Sequence, residues 1–230
     1  MSFNGILIID KPAGWTSHDV VAKLRGALKM KRIGHGGTLD PMATGVLPVF
    51  IGTATRLANT STDADKEYVA GMQLGIVTDT QDITGKVLSE NDVTVTIDDI
   101  KALLPRFTGP QKQVPPMFSA KKQGGKKLYE LARKGIEVER EPRDIIIFEL
   151  ETRQGDGSPV SLRIKCSKGT YIRTLCHDIG ATLGCGATMS SLRRTKSGDY
   201  RIEDAHTLES VLTAIDNGDF CKILTEITGQ

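Results

Sequence analysis

A glycine- and proline-rich stretch between residues 34 and 48 carries a single carboxylate. It reads GHGGTLDPMATGVLP, and Asp40 is its one acidic residue. Glycine permits close approach of the backbone to a ligand, and Pro41 disfavours helical geometry at Asp40. The apolar run that follows, ending at Ile51, predicts a strand that anchors the stretch. The pattern indicates a stiff loop that presents a carboxylate, which can act as a nucleophile or a base when it is ionised.

The residues alone leave two interpretations of this loop open. An aspartate before a proline is most often a turn residue, and glycine- and proline-rich loops are common. On the same grounds His35 would be a loop histidine that bonds to the backbone. Only the order of the residues along the loop favours a catalytic interpretation of Asp40.

A second candidate group lies in the sequence KGTYIRTLCHDIG, residues 168 to 180. Thr170 is a suitable N-cap, which would place Tyr171 and Arg173 in the first turn of a helix. A helix N-terminus favours an anion, and an arginine there adds a partner for one carboxylate or phosphate. An ordinary surface arginine is the alternative that these residues leave open.

Short strands and scattered helices would position these groups. Residues 5–9 form an apolar run typical of a buried strand, and Ser17 is a good N-cap for the helix that follows. Residues 205–215 predict a further helix. In residues 66–75, alternate side chains beginning with Tyr68 would share one face of a strand. A pattern rich in strands with helices between them predicts an α+β fold.

Composition places the chain among ordinary globular proteins. It has 230 residues, of which 39% are hydrophobic and 25% are charged. No apolar run approaches the length of a membrane span, and the first residues lack the pattern of a secretory signal. The four cysteines show no paired spacing, so we expect thiols in a reducing cytoplasm.

Charge is distributed unevenly although the net charge is only +2. Residues 112–134 contain seven lysines and arginines against one acid, and further basic clusters lie within 23–32 and 193–201. The acids gather at 90–99 and 203–219. A basic face backed by acidic segments suits a polyanion, whereas a solvated surface of mixed charge is the alternative.

Several common chemistries lack their motifs in this sequence. Neither the phosphate-binding GxxxxGK[ST] nor the dinucleotide-binding GxGxxG pattern occurs. The zinc-deaminase and serine-nucleophile signatures are missing as well. The four histidines show no metal-ligand spacing. We therefore expect no cofactor and no metal, which leaves a carboxylate, an arginine, tyrosines and basic patches to do chemistry.

The motifs, taken in order, closely resemble those of the TruB family of tRNA pseudouridine synthases. The family loop reads GHTGTLDPxATGxLP, and the chain also carries DKPAGWTS at residues 10–17, TDTQD at 78–82 and KGTYIRTL at 168–175. The resemblance covers roughly residues 5 to 195. One departure is Gly36, where the family often has threonine. We expect a small residue there to keep the shape of the loop and to lose a hydroxyl contact.

The resemblance implies a catalytic pair. Asp40 would be the catalytic aspartate, and Arg173 would pair with it and favour its ionised form. Asp82 in the TDTQD turn either contacts RNA or caps the turn, and the cap is favoured slightly. Lys11 belongs to the first motif and is expected to be structural rather than chemical.

Substrate contacts are implied at four further positions. Tyr68 would lie under the target base and Tyr171 would border the pocket, while Leu192 would touch the target nucleotide. His35 would fill the gap that the flipped base leaves in the RNA, or contact the flipped nucleotide itself. A base must leave its stack before chemistry of this kind, and aromatic stacking then holds it.

The resemblance also implies a fold and an activity. The fold is α+β, a pseudouridine synthase fold with a central, mainly antiparallel mixed sheet, flanking helices and an active-site cleft. We expect one catalytic domain over 1–230, with an inserted RNA-binding thumb at about 108–143, a short C-terminal tail at about 204–230 and no full PUA domain. The activity would be isomerisation of uridine 55 in the T-loop of tRNA. The sequence leaves the oligomeric state open, with a monomer favoured, and we expect a cytoplasmic protein.

Two other functions remain open from the sequence. The first is a guide-RNA-dependent pseudouridylase, whose family members carry the same motif and normally a C-terminal PUA domain. The second is a non-catalytic RNA-binding module that uses the basic face alone. The intact set of Asp40, Tyr68 and Arg173 argues against the second function.

Overall fold

The computed structural model describes residues 3–153 and 159–225. Six α-helices occur within those residues: α1 (Ser17–Leu28), α2 (Ala58–Asp63), α3 (Ile97–Leu103), α4 (Leu128–Ala132), α5 (Ile172–Leu183) and α6 (Leu208–Asp216). Short 3-10 helices are also present: Gly52–Leu57, Leu104–Phe107, Ile202–Asp204 and Phe220–Ile223. Within the same residues, no helix is both long enough and apolar enough to cross a membrane.

The described residues also form fourteen strands, numbered in chain order. They are β1 (Gly5–Lys11), β2 (Ile33–His35), β3 (Thr44–Ile51), β4 (Lys66–Leu74), β5 (Ile76–Thr78), β6 (Val87–Glu90), β7 (Gly109–Gln113), β8 (Lys122–Gln123), β9 (Lys126–Lys127), β10 (Arg143–Thr152), β11 (Val160–Cys166), β12 (Ala187–Ser197), β13 (Tyr200–Arg201) and β14 (His206–Thr207). Strands alternate irregularly with helices, which confirms the predicted α+β class.

The chain divides into two compact units. The first comprises Met1–Tyr68 with Leu192–Gln230, and the second comprises Val69–Ser191. Both boundaries fall within strands, one in β4 and the other in β12. The expected organisation as one catalytic domain with an inserted thumb and a short tail stays a prediction.

A mixed sheet forms the centre of the first unit. Strand β1 pairs antiparallel with β3 and parallel with β14, and β12 pairs parallel with β3. Strands β2 and β13 add antiparallel partners to β3 and β12. This confirms the predicted mainly antiparallel mixed sheet.

Helices α1 and α6 cover this sheet with apolar side chains. The buried cluster draws on β1, β2, β3, α1, α6 and the last 3-10 helix: Leu7, Ile9, Val20, Val21, Leu24, Leu28, Ile33, Leu47, Val49, Ile51, Leu208, Val211 and Phe220. Burying each large aliphatic side chain contributes roughly 1.5–3 kcal/mol, so this cluster stabilises β3, the strand that follows the loop with Asp40.

The second unit contains an antiparallel sheet and the amphipathic helix α5. Strand β10 pairs with β11 on one side and with β7 on the other. Along β11, buried residues alternate with half-buried ones, as the sequence pattern predicts. Strands β8 and β9 form a hairpin whose turn, Gly124 and Gly125, has positive φ at both residues. A two-residue turn of this kind requires such φ angles, which is why glycine occupies both positions.

Helix boundaries differ from the sequence expectation by one to three residues. Thr16, not Ser17, is the N-cap of α1, since its side chain and that of Asp19 form a reciprocal capping box. The sequence predicts helix α6 from residue 205, whereas it begins at Leu208, because Thr207 accepts the hydrogen bond that caps it. When two polar residues that can cap a helix lie close together, either could be the N-cap, and the sequence alone does not show which one is.

Candidate active site

The Asp40 loop, residues 36–43, joins β2 to β3 in the first unit. The Gly36 amide donates to the Pro48 carbonyl at 2.9 Å, and the Ala43 amide donates to the Asp40 carbonyl at 3.1 Å. Asp40 itself is half-buried. The loop is therefore tied at its entry and closed by a tight turn around the carboxylate.

Ser17, the first residue of α1, holds the loop on the N-terminal side of Asp40. Its hydroxyl accepts a hydrogen bond from the Leu39 amide at 2.9 Å and lies 3.4 Å from the Leu39 carbonyl. Both residues are buried. Because the Thr16 side chain caps the helix, the Ser17 hydroxyl can bind the backbone of Leu39, the residue before Asp40.

Lys11, the last residue of β1, holds the loop on the C-terminal side of Asp40. Its ammonium donates to the carbonyls of Pro12, Trp15 and Pro41, at 2.9, 2.6 and 3.3 Å. Burial lowers the pKa of Lys11 to about 8, while the neighbouring charge of Asp40 acts in the opposite direction. These contacts are those of a structural residue that also places a positive charge near the carboxylate.

The shifted pKa of Lys11 predicts a pH dependence of stability. The folded value of about 8 lies below the ordinary value of 10.5, so the unfolded state binds more protons between these two limits. This group therefore makes the free energy of unfolding rise with pH across that window. Relative to Lys11→Met, we expect the wild-type free energy of unfolding to rise by about 2 kcal/mol between about pH 7 and pH 10, measured by urea denaturation. A difference between the two proteins that does not change with pH would contradict this assignment.

Arg194 lies beneath the loop and was missed as a site residue in the sequence, where it counts as one of several surface cations. It is 1% exposed. Its Nε donates to the Val46 carbonyl at 2.7 Å and its Nη2 to the Gly37 carbonyl at 3.2 Å. The Tyr68 hydroxyl accepts a further hydrogen bond from the guanidinium. Alternation along β12 was the available signal, because it places Arg194 on the same face as the apolar Leu192.

The remaining predicted residues of the first unit are His35, Tyr68 and Leu192. Tyr68 and Leu192 are each 8% exposed. His35 is half-buried at the end of β2, and its ring meets that of His18 edge to face at 5.6 Å between centroids. Burial lowers the pKa of His35, with smaller contributions from the charges of His18 and Arg194. A neutral imidazole at this position suits contact with a base.

Gly36, which differs from the threonine common in the family loop, is packed closely against other residues. A Cβ added at Gly36 would lie 2.3 Å from Ser61 Oγ, 2.7 Å from Ser61 Cβ and 2.9 Å from a ring carbon of Phe50. The Ser61 hydroxyl is buried and has no hydrogen-bond partner among the residues the structure describes. Ser61 of helix α2 thus occupies the space that a side chain at position 36 would need.

We expect Gly36→Thr to lower the free energy of unfolding by about 2 kcal/mol, because the new side chain overpacks against Ser61 and Phe50. In a Ser61→Gly background the same substitution should cost at least about 1 kcal/mol less, since the two nearest atoms are gone. A double-mutant cycle measured by thermal denaturation tests this coupling. Equal costs in both backgrounds would show that Ser61 does not fill the site.

Arg173 and Asp82 form a buried pair in the second unit. Arg173 is 4% exposed, and its Nη1 and Nη2 donate to the carbonyls of Thr80 and Phe118 at 3.0 and 2.8 Å. Nη1 also lies 3.6 Å from Asp82 Oδ2. Asp82 Oδ1 accepts from the Thr84 amide at 3.0 Å, so the favoured interpretation of Asp82 as a turn cap is confirmed. Its second role, as a partner of Arg173, was missed.

Tyr171 is the N-cap of α5, and the helix begins at Ile172 rather than after Thr170. Arg173 therefore lies in the first turn, as predicted, whereas Tyr171 precedes the helix. The buried side chain of Gln113 at the end of β7 fixes the Tyr171 backbone. It accepts from the Tyr171 amide at 2.8 Å and donates to the Tyr171 carbonyl at 3.0 Å. The sequence offered no sign of this clamp.

The structure thus groups the predicted residues by unit. Asp40, His35, Tyr68 and Leu192 belong to the first unit, and the other two belong to the second: Tyr171 and Arg173. Within the first unit, Lys11 and Arg194 hold the Asp40 loop. The pairing of Arg173 with Asp40, and the substrate contacts of the other four, stay predictions.

The profiles of two known domains match adjoining parts of the chain. The profile of the TruB family pseudouridylate synthase N-terminal domain matches residues 25–172. The chain belongs to the TruB family. The profile of the tRNA pseudouridylate synthase B C-terminal domain matches the adjoining residues 173–222 of this family member. The resemblance that the four motifs predicted is therefore confirmed.

Curated relatives of this TruB family member share about half of its residues. A tRNA pseudouridine synthase B of Alkaliphilus oremlandii is 51% identical over 93% of the chain and 71% of the relative. The corresponding protein of Azoarcus sp. is 50% identical over 90% of the chain and 69% of the relative.

Solved structures confirm the pseudouridine synthase fold. A chain of a Cbf5-Nop10-Gar1 complex superposes with a TM-score of 0.77 at 35% identity, covering 96% of this TruB chain and 60% of that chain. A chain of an H/ACA RNP bound to a substrate RNA containing 2'-deoxyuridine gives a TM-score of 0.73 at 32% identity, with 96% and 59% covered. The TruB chain thus spans about 60% of the length of these solved relatives.

Proposed function

We propose that this TruB family protein is a tRNA pseudouridine synthase that isomerises uridine 55 in the T-loop of tRNA. The observation that carries the proposal is the intact Asp40 loop in a chain about half identical to proteins named tRNA pseudouridine synthase B. Ser17, Lys11 and Arg194 hold this loop through its backbone groups, which fixes the position of the residue that the proposed reaction uses.

The reaction requires a carboxylate and a positioned base. The N1–C1′ bond of the uridine breaks, the uracil rotates, and C5 forms the new bond to C1′. The hydrogen on C5 leaves as a proton, and N1 takes up a proton. The product is an isomer of the substrate, so the reaction needs no oxidant or reductant. Asp40 supplies the nucleophile or base, and Arg173 favours its ionised form.

Binding places the target uracil against Tyr68, with Tyr171 and Leu192 bordering it and His35 contacting the RNA around the flipped nucleotide. Flipping costs a few kcal/mol, and stacking on an aromatic ring returns roughly 1–3 kcal/mol per base. The basic segment 112–134, within the thumb proposed at about 108–143, supplies phosphate contacts. In this proposal the residues of one chain suffice for the reaction, and the protein acts as a monomer in the cytoplasm.

Guide-dependent modification is the second candidate function. The solved relative from an H/ACA RNP bound to a substrate RNA favours it, but the identity to that chain is 32%, well below the 51% and 50% to the tRNA pseudouridine synthases. Fold similarity alone does not assign an activity, so the higher identity favours the tRNA enzyme.

The experiment incubates the purified protein, without guide RNA, with an unmodified tRNA transcript. Nucleoside chromatography measures pseudouridine formed, and a transcript with cytidine in place of uridine 55 is the control. We expect one pseudouridine per wild-type transcript and none in the control. Product in both transcripts would overturn the T-loop assignment. No product without guide RNA, but product with a guide and partner proteins, would establish the second candidate.

A further inference from the structure

We infer that Arg194 is a positioning residue for the proposed reaction, because its guanidinium joins Gly37 in the Asp40 loop and Val46 in β3 to the hydroxyl of Tyr68. The inference rests on the proposed function. Neither the family motif around Asp40 nor the basic cluster at 193–201 assigns Arg194 this role.

The contacts of Arg194 reach the two sides of the loop. The Gly37 carbonyl precedes Asp40 by three residues and the Val46 carbonyl follows it by six, and Arg194 donates to both, at 3.2 and 2.7 Å. Its guanidinium also donates to the Tyr68 hydroxyl. One rigid group therefore sets the distance between the proposed stacking ring and the backbone that carries the carboxylate.

The backbone of Arg194 is fixed against the same loop. Arg194 pairs with Gly45 where β12 runs parallel to β3. Gly45 has a φ of +101°, and a Cβ there would lie 2.2 Å from the Arg194 carbonyl oxygen. A glycine is therefore required at position 45, the second residue of β3. The main chain of Arg194 packs directly against Gly45. The position of its Cα is therefore fixed relative to the Asp40 loop, which limits where the guanidinium can lie.

The chemistry of the side chain matches this role. A guanidinium is a planar fork with five donors, and it can hold two carbonyls and a hydroxyl in fixed directions. A buried cation carries a desolvation cost, and apolar packing would serve stability alone at least as well. A lysine at this position would keep the charge but could not reach three acceptors with the same geometry.

The test compares Arg194→Lys, Tyr68→Phe and the double variant with the wild type. The measurements are the single-turnover rate constant for pseudouridine formation and the dissociation constant for T-arm RNA. Val211→Ala, on the buried face of α6, is the control for loss of stability at a core position outside the Asp40 loop. Circular dichroism sets a temperature at which every variant is folded.

We expect Arg194→Lys to reduce the rate constant about 30-fold while the dissociation constant stays within about threefold of wild type. The double variant should be no more than about threefold slower than the slower single variant, since both changes remove one shared contact. Val211→Ala should lower the melting temperature and retain the wild-type rate.

A purely structural role would give a different result. Arg194→Lys would then lower the melting temperature but keep the wild-type rate at temperatures where it is folded, and this would overturn the inference. Rate losses that multiply in the double variant would overturn it as well. If the wild type itself formed no pseudouridine, the proposed function would fail, which is a distinguishable result.

Discussion

Asp40→Asn is expected to abolish pseudouridine formation, with a loss of at least about 10⁴-fold in the single-turnover rate constant. An amide has nearly the shape of a carboxylate but is neither a useful nucleophile nor a base. The loop should keep its conformation, because Ser17, Lys11 and Arg194 hold it through backbone carbonyl and amide groups that the substitution leaves in place. The affinity for T-arm RNA should therefore stay within about threefold of wild type.

Filter binding and nucleoside chromatography measure the two quantities in the same preparation. Asp98→Asn is the matched control, since Asp98 is exposed and paired with Lys101 on α3. This control should keep both wild-type affinity and wild-type rate. Residual activity of Asp40→Asn above about one per cent would contradict the assignment of Asp40. Loss of binding together with activity would show that the carboxylate shapes the loop instead.

Arg173→Lys is expected to reduce the single-turnover rate constant about 10²-fold. The guanidinium uses both terminal nitrogens on backbone carbonyls, those of Thr80 and Phe118, and lies within 3.6 Å of Asp82. A single ammonium cannot hold these positions at once, so the lysine would lose the geometry that the proposed role of Arg173 towards Asp40 requires. Removing a buried partner from Asp82 also leaves that carboxylate poorly compensated.

The measurement for Arg173→Lys is single-turnover kinetics at a temperature where circular dichroism shows a folded protein. Arg163→Lys is the control, because Arg163 forms an exposed ion pair with Glu149 on neighbouring strands. It should retain the wild-type rate, since such surface pairs contribute little. A near-wild-type rate for Arg173→Lys would show that charge alone suffices at this position.

Local patterns in the sequence identified the parts of the site that depend on neighbouring residues. The glycine and proline spacing around Asp40 predicted a loop followed by a strand, and that loop precedes β3. The polar turn at Asp82 was predicted as a cap, and its Oδ1 accepts the Thr84 amide two residues later. Both depend on contacts a few residues apart, which composition and order specify.

Contacts between distant segments were not predictable in the same way. Arg173 donates to Thr80, 93 residues away, and Arg194 donates to Gly37 at a separation of 157 residues. Sequence composition treated both arginines as cations that could equally lie on the surface. The partners of Gly36 and Tyr171, which are Ser61 and Gln113, likewise follow from folding rather than from local pattern.

Tritium release from T-arm RNA labelled at C5 of the target uridine tests the central claim most directly. The C5 hydrogen leaves only when C5 becomes the glycosidic carbon, so release reports the isomerisation itself. We predict release of one tritium per labelled uridine by the wild type and none by Asp40→Asn. Bound RNA with no release by the wild type, or equal release by the two proteins, would contradict the account.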